Sequence, residues 1–231
     1  MAFAGFAPEA LSFLSDLGRN NRREWFHAHR DEYETLLLDP ARDFVEAMGD
    51  ELGPEINADA RVGGSIFRIA RDTRFSRDKR PYKDHLDLWF WHGPGPSRER
   101  PGFWFRLAPT QLLLGAGMHR FDRGVLDRYR DAVVDPELGA RLAKAVAAVE
   151  RSGAEVGGLH YKRVPAGYDK DHERADLLLH HGLYAGLELD VPNETHTPKF
   201  PAFCAARYRE MRPVLDWLVE LLDGSFSSTA Q

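Results

Sequence analysis

Chemistry in this chain concentrates between Arg68 and Lys83, in the stretch RIARDTRFSRDKRPYK. Seven cations (Arg68, Arg71, Arg74, Arg77, Lys79, Arg80, Lys83) stand against Asp72 and Asp78, a local charge of +5 in a chain whose formal charge is −5. The remaining residues therefore sum to −10. A surplus of this size creates a positive field that attracts anions. Guanidinium forks bind phosphate or carboxylate oxygens two at a time, and lysine adds a compact charge. Arg68, Arg71, Arg74, Lys79 and Lys83 are the candidate anion ligands. Asp72 and Asp78, each surrounded by cations, are suited to orienting guanidinium groups, and such surroundings depress a carboxyl pKa. The competing reading is a solvated basic loop paired with acidic neighbours. Phe75, Pro81 and Tyr82 are interleaved with the charges, which favours an ordered loop folded onto the core.

A second basic cluster, HYKRVPAGY from His160 to Tyr168, adds Lys162 and Arg163 beside a Pro-x-Gly turn. These two join the candidate anion set; a plain surface turn is the alternative. Ten histidines are present, but no HExxH, no Cys-x-x-Cys and no regular ligand spacing, so no metal site is expected. The chain has no P-loop, no G-x-G-x-x-G and no G-x-S-x-G, and Gly115-Ala116-Gly117 lacks a third glycine; no cofactor is expected. No motif specifies a reaction. Stabilising developing negative charge is the one catalytic role these arginines can be assigned physically.

The elements that must position these groups read as follows. Pro8 to Leu17 is an amphipathic helix ended by Gly18. Asn21 and Glu24 have capping-box spacing for a second helix carrying Trp25, Phe26, Tyr33, Leu36 and Leu37. Asp39-Pro40 opens a third, with Phe44, Val45, Met48 and Leu52 inward. The period then changes to two: Ser65 to Ala70 and Leu86 to Trp91 read as strands flanking the basic stretch, with Pro81 excluding a regular element between them. Gly93 to Gly102 is an exposed connection, and Phe103 to Leu107 and Gln111 to Leu114 complete a meander. Helices return at Arg123 to Val134 and after Asp135-Pro136. Asp171 caps a short helix stopping at Gly182, Leu183 to Leu189 is a strand, and the last helix, after Thr197-Pro198, contains Pro213, which should kink or divide it. The expected class is α+β: one domain over residues 1–224, a mainly antiparallel sheet of about 5–6 strands covered by helices from both ends of the chain, and a disordered tail over 225–231.

At 231 residues, 43% hydrophobic and 29% charged, the composition is that of an ordinary globular protein with material for one large core. No apolar run approaches the roughly 20 residues of a membrane span, and the N-terminus lacks the basic flank of a signal peptide. The one cysteine, Cys204, lies among apolar residues and reads as buried; with no internal disulfide, a cytoplasmic setting is expected. Trp89, Trp91, Phe103, Trp104 and Phe105 read as the core face of the sheet, with a base-stacking platform as the alternative. Three functions remain open: binding of an anionic small molecule, nucleic-acid binding through the loop and neighbouring aromatics, and a protein-interaction domain whose basic loop is structural.

Three segments in this order, FLSDLGRNNRREWFHAHRDEY (Phe13 to Tyr33), RIARDTRFSRDKRPYK (Arg68 to Lys83) and YKRVPAGYDKDH (Tyr161 to His172), resemble the DUF2461 family of conserved hypothetical proteins. The chain departs from that pattern at Ala166, where a basic residue is expected, and in HHGLY (His180 to Tyr184), where the family tends to carry lysine. The resemblance implies one full-length domain; it implies no mechanism.

Overall fold

In the computed structural model, residues 2–94 and 99–224 are described. The expected tail over 225–231 and the middle of the Gly93 to Gly102 connection lie outside them. In chain order the elements are α1 (Pro8–Arg19), α2 (Arg23–Ala28), the single turn α3 (Arg30–Glu32), a π-helical turn (Tyr33–Leu38), α4 (Asp39–Leu52), β1 (Ile56–Asn57), β2 (Leu86–His92), β3 (Gly102–Leu107), β4 (Gln111–Met118), α5 (Arg123–Val134), α6 (Pro136–Arg151), β5 (Glu155–Leu159), β6 (His180–Asp190) and α7 (Phe200–Asp223). The strands make one six-stranded antiparallel sheet in the order β1-β2-β3-β4-β6-β5. The fold is α+β, as the alternation of helical and period-two segments requires.

The chain divides into two compact units. The first comprises Met1–Pro96, Trp104–Leu114 and Glu188–Ala206, and the second Ser97–Phe103, Gly115–Leu187 and Arg207–Gln231. In the first, Phe44 is the centre of an aromatic core, with Phe3, Phe6, Phe105 and Phe200 at ring-centroid distances between 5.1 and 5.8 Å. In the second, Tyr129 packs on Phe121 at 4.9 Å and on Trp217 at 5.9 Å. Its hydroxyl donates to the Leu177 carbonyl at 3.1 Å, which satisfies the one polar atom that burial would otherwise strand.

Several local expectations are corrected. Asn21 does not cap α2: the cap position is Arg22, with no side-chain bond. α4 begins at Asp39 with Pro40 in its first turn and Phe44, Val45, Met48 and Leu52 buried, as expected, but Asp39 is not its cap: the π-helical turn runs straight into α4 and Leu38, in helical conformation, precedes it. Asp39 instead pairs with Arg42 at 2.7 Å. Ser65 to Ala70 forms isolated bridges, Ile66 to Leu88 and Ala70 to Tyr82, and no continuous strand. In place of a helix ending at Gly182 there is a 3₁₀ turn (Leu177–Leu179), and β6 already begins at His180. Pro213 lies within α7 without dividing it. Asp135, by contrast, caps α6 as expected, its Oδ1 accepting from the Glu137 and Leu138 amides at 2.9 and 2.8 Å. Trp89, Trp91, Phe103 and Phe105 are buried, and so is Cys204, whose thiol burial pushes well above its ordinary pKa.

Candidate anion-binding site

The basic stretch folds back on itself as an irregular hairpin. The Arg71 amide donates to the Pro81 carbonyl at 2.8 Å and the Lys83 amide to Ile69 at 2.9 Å. This brings the two ends of the stretch together although Pro81 forbids a regular ladder. The base of the hairpin is clamped from 61 residues away. Asn21 Nδ2 donates to the Tyr82 carbonyl and Asn21 Oδ1 accepts from the Tyr82 amide, both at 3.0 Å. Tyr82 stacks on Phe26 at 4.2 Å, within a cluster that includes Phe13, Leu17 and Ile69. Tyr82 and Ile69 thus dock the base of the hairpin on α1 and α2, whereas Phe75, expected to fold onto the core with them, does not.

Most of the cations are engaged locally. Asp78 accepts from Arg71 Nη1 at 2.6 Å and from Arg80 Nε at 2.9 Å, and its Oδ1 takes the Arg80 amide at 3.0 Å. The Arg80 bonds and then Arg71 hold the Asp78 carboxyl well below the usual carboxylate range. Asp72 grips Arg74 through both oxygens, at 2.7 and 3.0 Å, and takes its amide at 3.1 Å, which lowers its pKa too. Lys79 Nζ donates to the Thr73 carbonyl at 2.9 Å, closing the tip. Arg68 and Arg77 are exposed and have no ion-pair partner among the described residues. Phe75, at the tip, is 95% exposed, with the Arg74 guanidinium 5.8 Å from its ring centroid.

Below the hairpin lies a charged group that the residue pattern did not single out. Asp87, on β2, accepts from Lys83 Nζ at 2.8 Å and from Arg106 Nε, on β3, at 2.7 Å, with His85 Nε2 at 3.3 Å. The other nitrogen of His85 is 3.0 Å from Asp84 Oδ1, and the ring can donate to both carboxylates only as the imidazolium. Burial alone would raise the Asp87 pKa; the bonds from His85, Arg106 and Lys83 outweigh it and hold the carboxyl well below its ordinary range. Lys83 also sits 4.9 Å from the Phe67 ring centroid. Lys83 is thus half-buried and paired with Asp87. The sequence signal was Asp87 alternating with the inward Leu86 and Leu88 directly after the cations.

A groove of about 460 Å³ lies in the same unit, among Phe13, Trp25, His29 and Leu36. Trp25 and His29 stack at 4.0 Å. Its charged lining is Glu9, Asp16 and Glu32, the wrong sign for an anion. Lys162 and Arg163 belong to the second unit and are exposed on the connection after β5. There Tyr168 donates to Asp131 at 2.8 Å, and burial together with that bond pushes its phenol up to about 12. Among the described residues, no group of three or more His, Cys, Asp or Glu is placed to hold a metal ion. No described helix is long and apolar enough to cross a membrane.

The three resembling segments thus supply the first helices, the hairpin they clamp, and the connection carrying Lys162 and Arg163, and residues 9–217 match the family described as "Conserved hypothetical protein (DUF2461)". The chain belongs to the DUF2461 family. The match spans most of the chain and contains residues of both units. No curated protein and no solved structure matches the chain. A DUF2461 assignment carries no activity with it, so function here has to be argued from the hairpin.

Proposed function

We propose that this protein binds an anionic small molecule, bearing a phosphate or carboxylate, at the Arg68–Lys83 hairpin. Arg68, Arg71, Arg74, Lys79 and Lys83 supply the field, and Asp72 and Asp78 hold guanidinium groups in fixed orientations. The observation that carries this reading is the division of labour within the hairpin. Its base is fixed by Asn21 and Asp87, while the Arg68 and Arg77 guanidinium groups are exposed and without carboxylate partners among the described residues. A fixed scaffold lowers the ordering cost of binding, and unpaired guanidinium groups retain their bidentate capacity. Lys162 and Arg163 extend the same chemistry in the second unit. On this reading residues 1–224 act as one cytoplasmic domain, the family match running from 9 to 217.

A second reading rests on Phe75. A phenylalanine 95% exposed beside Arg74 suits a macromolecular partner, either nucleic acid or protein. Thermal shift separates the readings, since a ligand that binds the native state raises the melting midpoint. Phosphorylated and carboxylated metabolites should raise it, and the raise should vanish in Arg68→Ala/Arg77→Ala with the unliganded midpoint unchanged. A raise from single-stranded oligonucleotides alone, collapsing with salt, would shift the assignment to nucleic acid. No shift from any ligand would leave the hairpin a purely structural element.

A further inference from the structure

The second unit carries an unfilled guanidinium. Arg130, on α5, has its Nε buried and without a hydrogen-bond partner. Its guanidinium lies 5.0 Å from the ring centroid of Tyr161. The neighbouring carboxylate, Asp131, is turned to Tyr168, whose hydroxyl its Oδ1 accepts. Around Tyr161 stand two imidazoles: His160 at 4.9 Å and His181 at 5.8 Å, with 5.2 Å between the two histidine centroids. Neither imidazole has a hydrogen-bond partner among the described residues.

These rings are held, not merely adjacent. Gly158, with φ +116°, lies in the register shift between Gly157 and Leu159 where β5 leaves β6, and a Cβ there would run into the Gly182 carbonyl. Beyond that shift the His160 and Tyr161 amides both donate to the Leu179 carbonyl, at 3.0 and 2.9 Å. His181 is fixed by its own carbonyl, which accepts from the Phe121 amide at 2.8 Å. The result is one aromatic ring, Tyr161, with a guanidinium and two imidazoles grouped around it. Each neutral imidazole offers one N–H, and a guanidinium stacked on a ring keeps its edge donors for an oxyanion. A buried donor left without an acceptor is costly, so an acceptor that reaches it gains binding energy.

We infer that Arg130, His160 and His181 form a seat for a small oxyanion, the phosphate or carboxylate end of a small molecule, with Lys162 and Arg163 at its approach. This seat is assembled within the second unit and stands independently of the hairpin. Inorganic phosphate titrated into the full chain tests it, with acetate as the carboxylate arm and chloride at matched ionic strength as the control. Nitrogen–proton NMR follows the Arg130 Nε–H and the ring signals of His160 and His181. Phosphate or acetate should move all three saturably while chloride does not; the tighter of the two names the ligand class. His181→Phe keeps the ring packing and should weaken binding about tenfold or more, the loss expected for one hydrogen bond to a charged group. Should Arg130→Met fail to fold, the Arg130 signal in the His181→Phe chain still reports occupancy. Signals that ignore both anions, or an unchanged affinity in a folded His181→Phe chain, would overturn the proposal. Because the readouts belong to the second unit, that failure leaves the hairpin reading untouched, and loss of the hairpin reading leaves this one untouched.

Discussion

Asp87 shows how little of a charge cluster need be available for binding. Its side chain is 14% exposed and engages Lys83, Arg106 and His85 together. Removing the charge would strand the cations it holds, and breaking a buried pair in this way costs about 3–5 kcal/mol. Against a total stability of about 5–15 kcal/mol, Asp87→Asn should lower the urea midpoint severely. Asp72→Asn, which breaks only an exposed pair, should lower it far less. The pH dependence follows from the direction of the shift. The folded carboxyl is pulled below its unfolded value of about 3.9, so its contribution is complete above that value and drains as pH falls toward the folded pKa. Between about pH 5 and pH 3 the wild-type chain should therefore lose stability more steeply than Asp87→Asn. Parallel pH profiles for the two proteins would show that Asp87 is not the coupled group.

At the scale of elements, the hairpin depends on a clamp that no local pattern displays. Asn21 has the spacing of a helix cap with Glu24, but its side chain is committed to both backbone groups of Tyr82. Asn21→Ala leaves those two groups without partners, a cost of about 1–3 kcal/mol. The expected signature is local: amide exchange should accelerate across residues 69–83 while the β3 and β4 amides keep their protection. Acceleration spread evenly over the sheet would mean that the hairpin is not a separately clamped element. Elements with local causes were readable in advance. Asp135-Pro136 marks the start of α6 because cap and proline act within three residues, and the span Arg123–Val134 expected to be helical is α5. What could not be read was the pairing of Ala70 with Tyr82 and the early start of β6, both set by contacts with other segments, and the π-helical turn that fuses the second helix into α4, which no residue type marks. Arg130, His160 and His181 lie 21 to 51 positions apart in the chain, so no spacing rule could have joined them.

Taken as a whole molecule, a chain of formal charge −5 gathers seven of its 31 lysines and arginines into the sixteen residues from Arg68 to Lys83. The hairpin neutralises part of its own field through Asp72, Asp78 and Asp87 and keeps Arg68 and Arg77 exposed. The groove beside Trp25 and His29 is lined by Glu9, Asp16 and Glu32, so its charge opposes an anion there. The direct measurement is crystallographic: crystals grown with tungstate, a phosphate-like oxyanion whose anomalous scattering locates it without ambiguity. An anomalous peak within hydrogen-bonding distance of the Arg68 or Arg77 guanidinium is the result expected. Well-diffracting crystals with full tungstate exposure, both guanidinium groups clear of lattice contacts, and no peak on the hairpin would contradict the assignment.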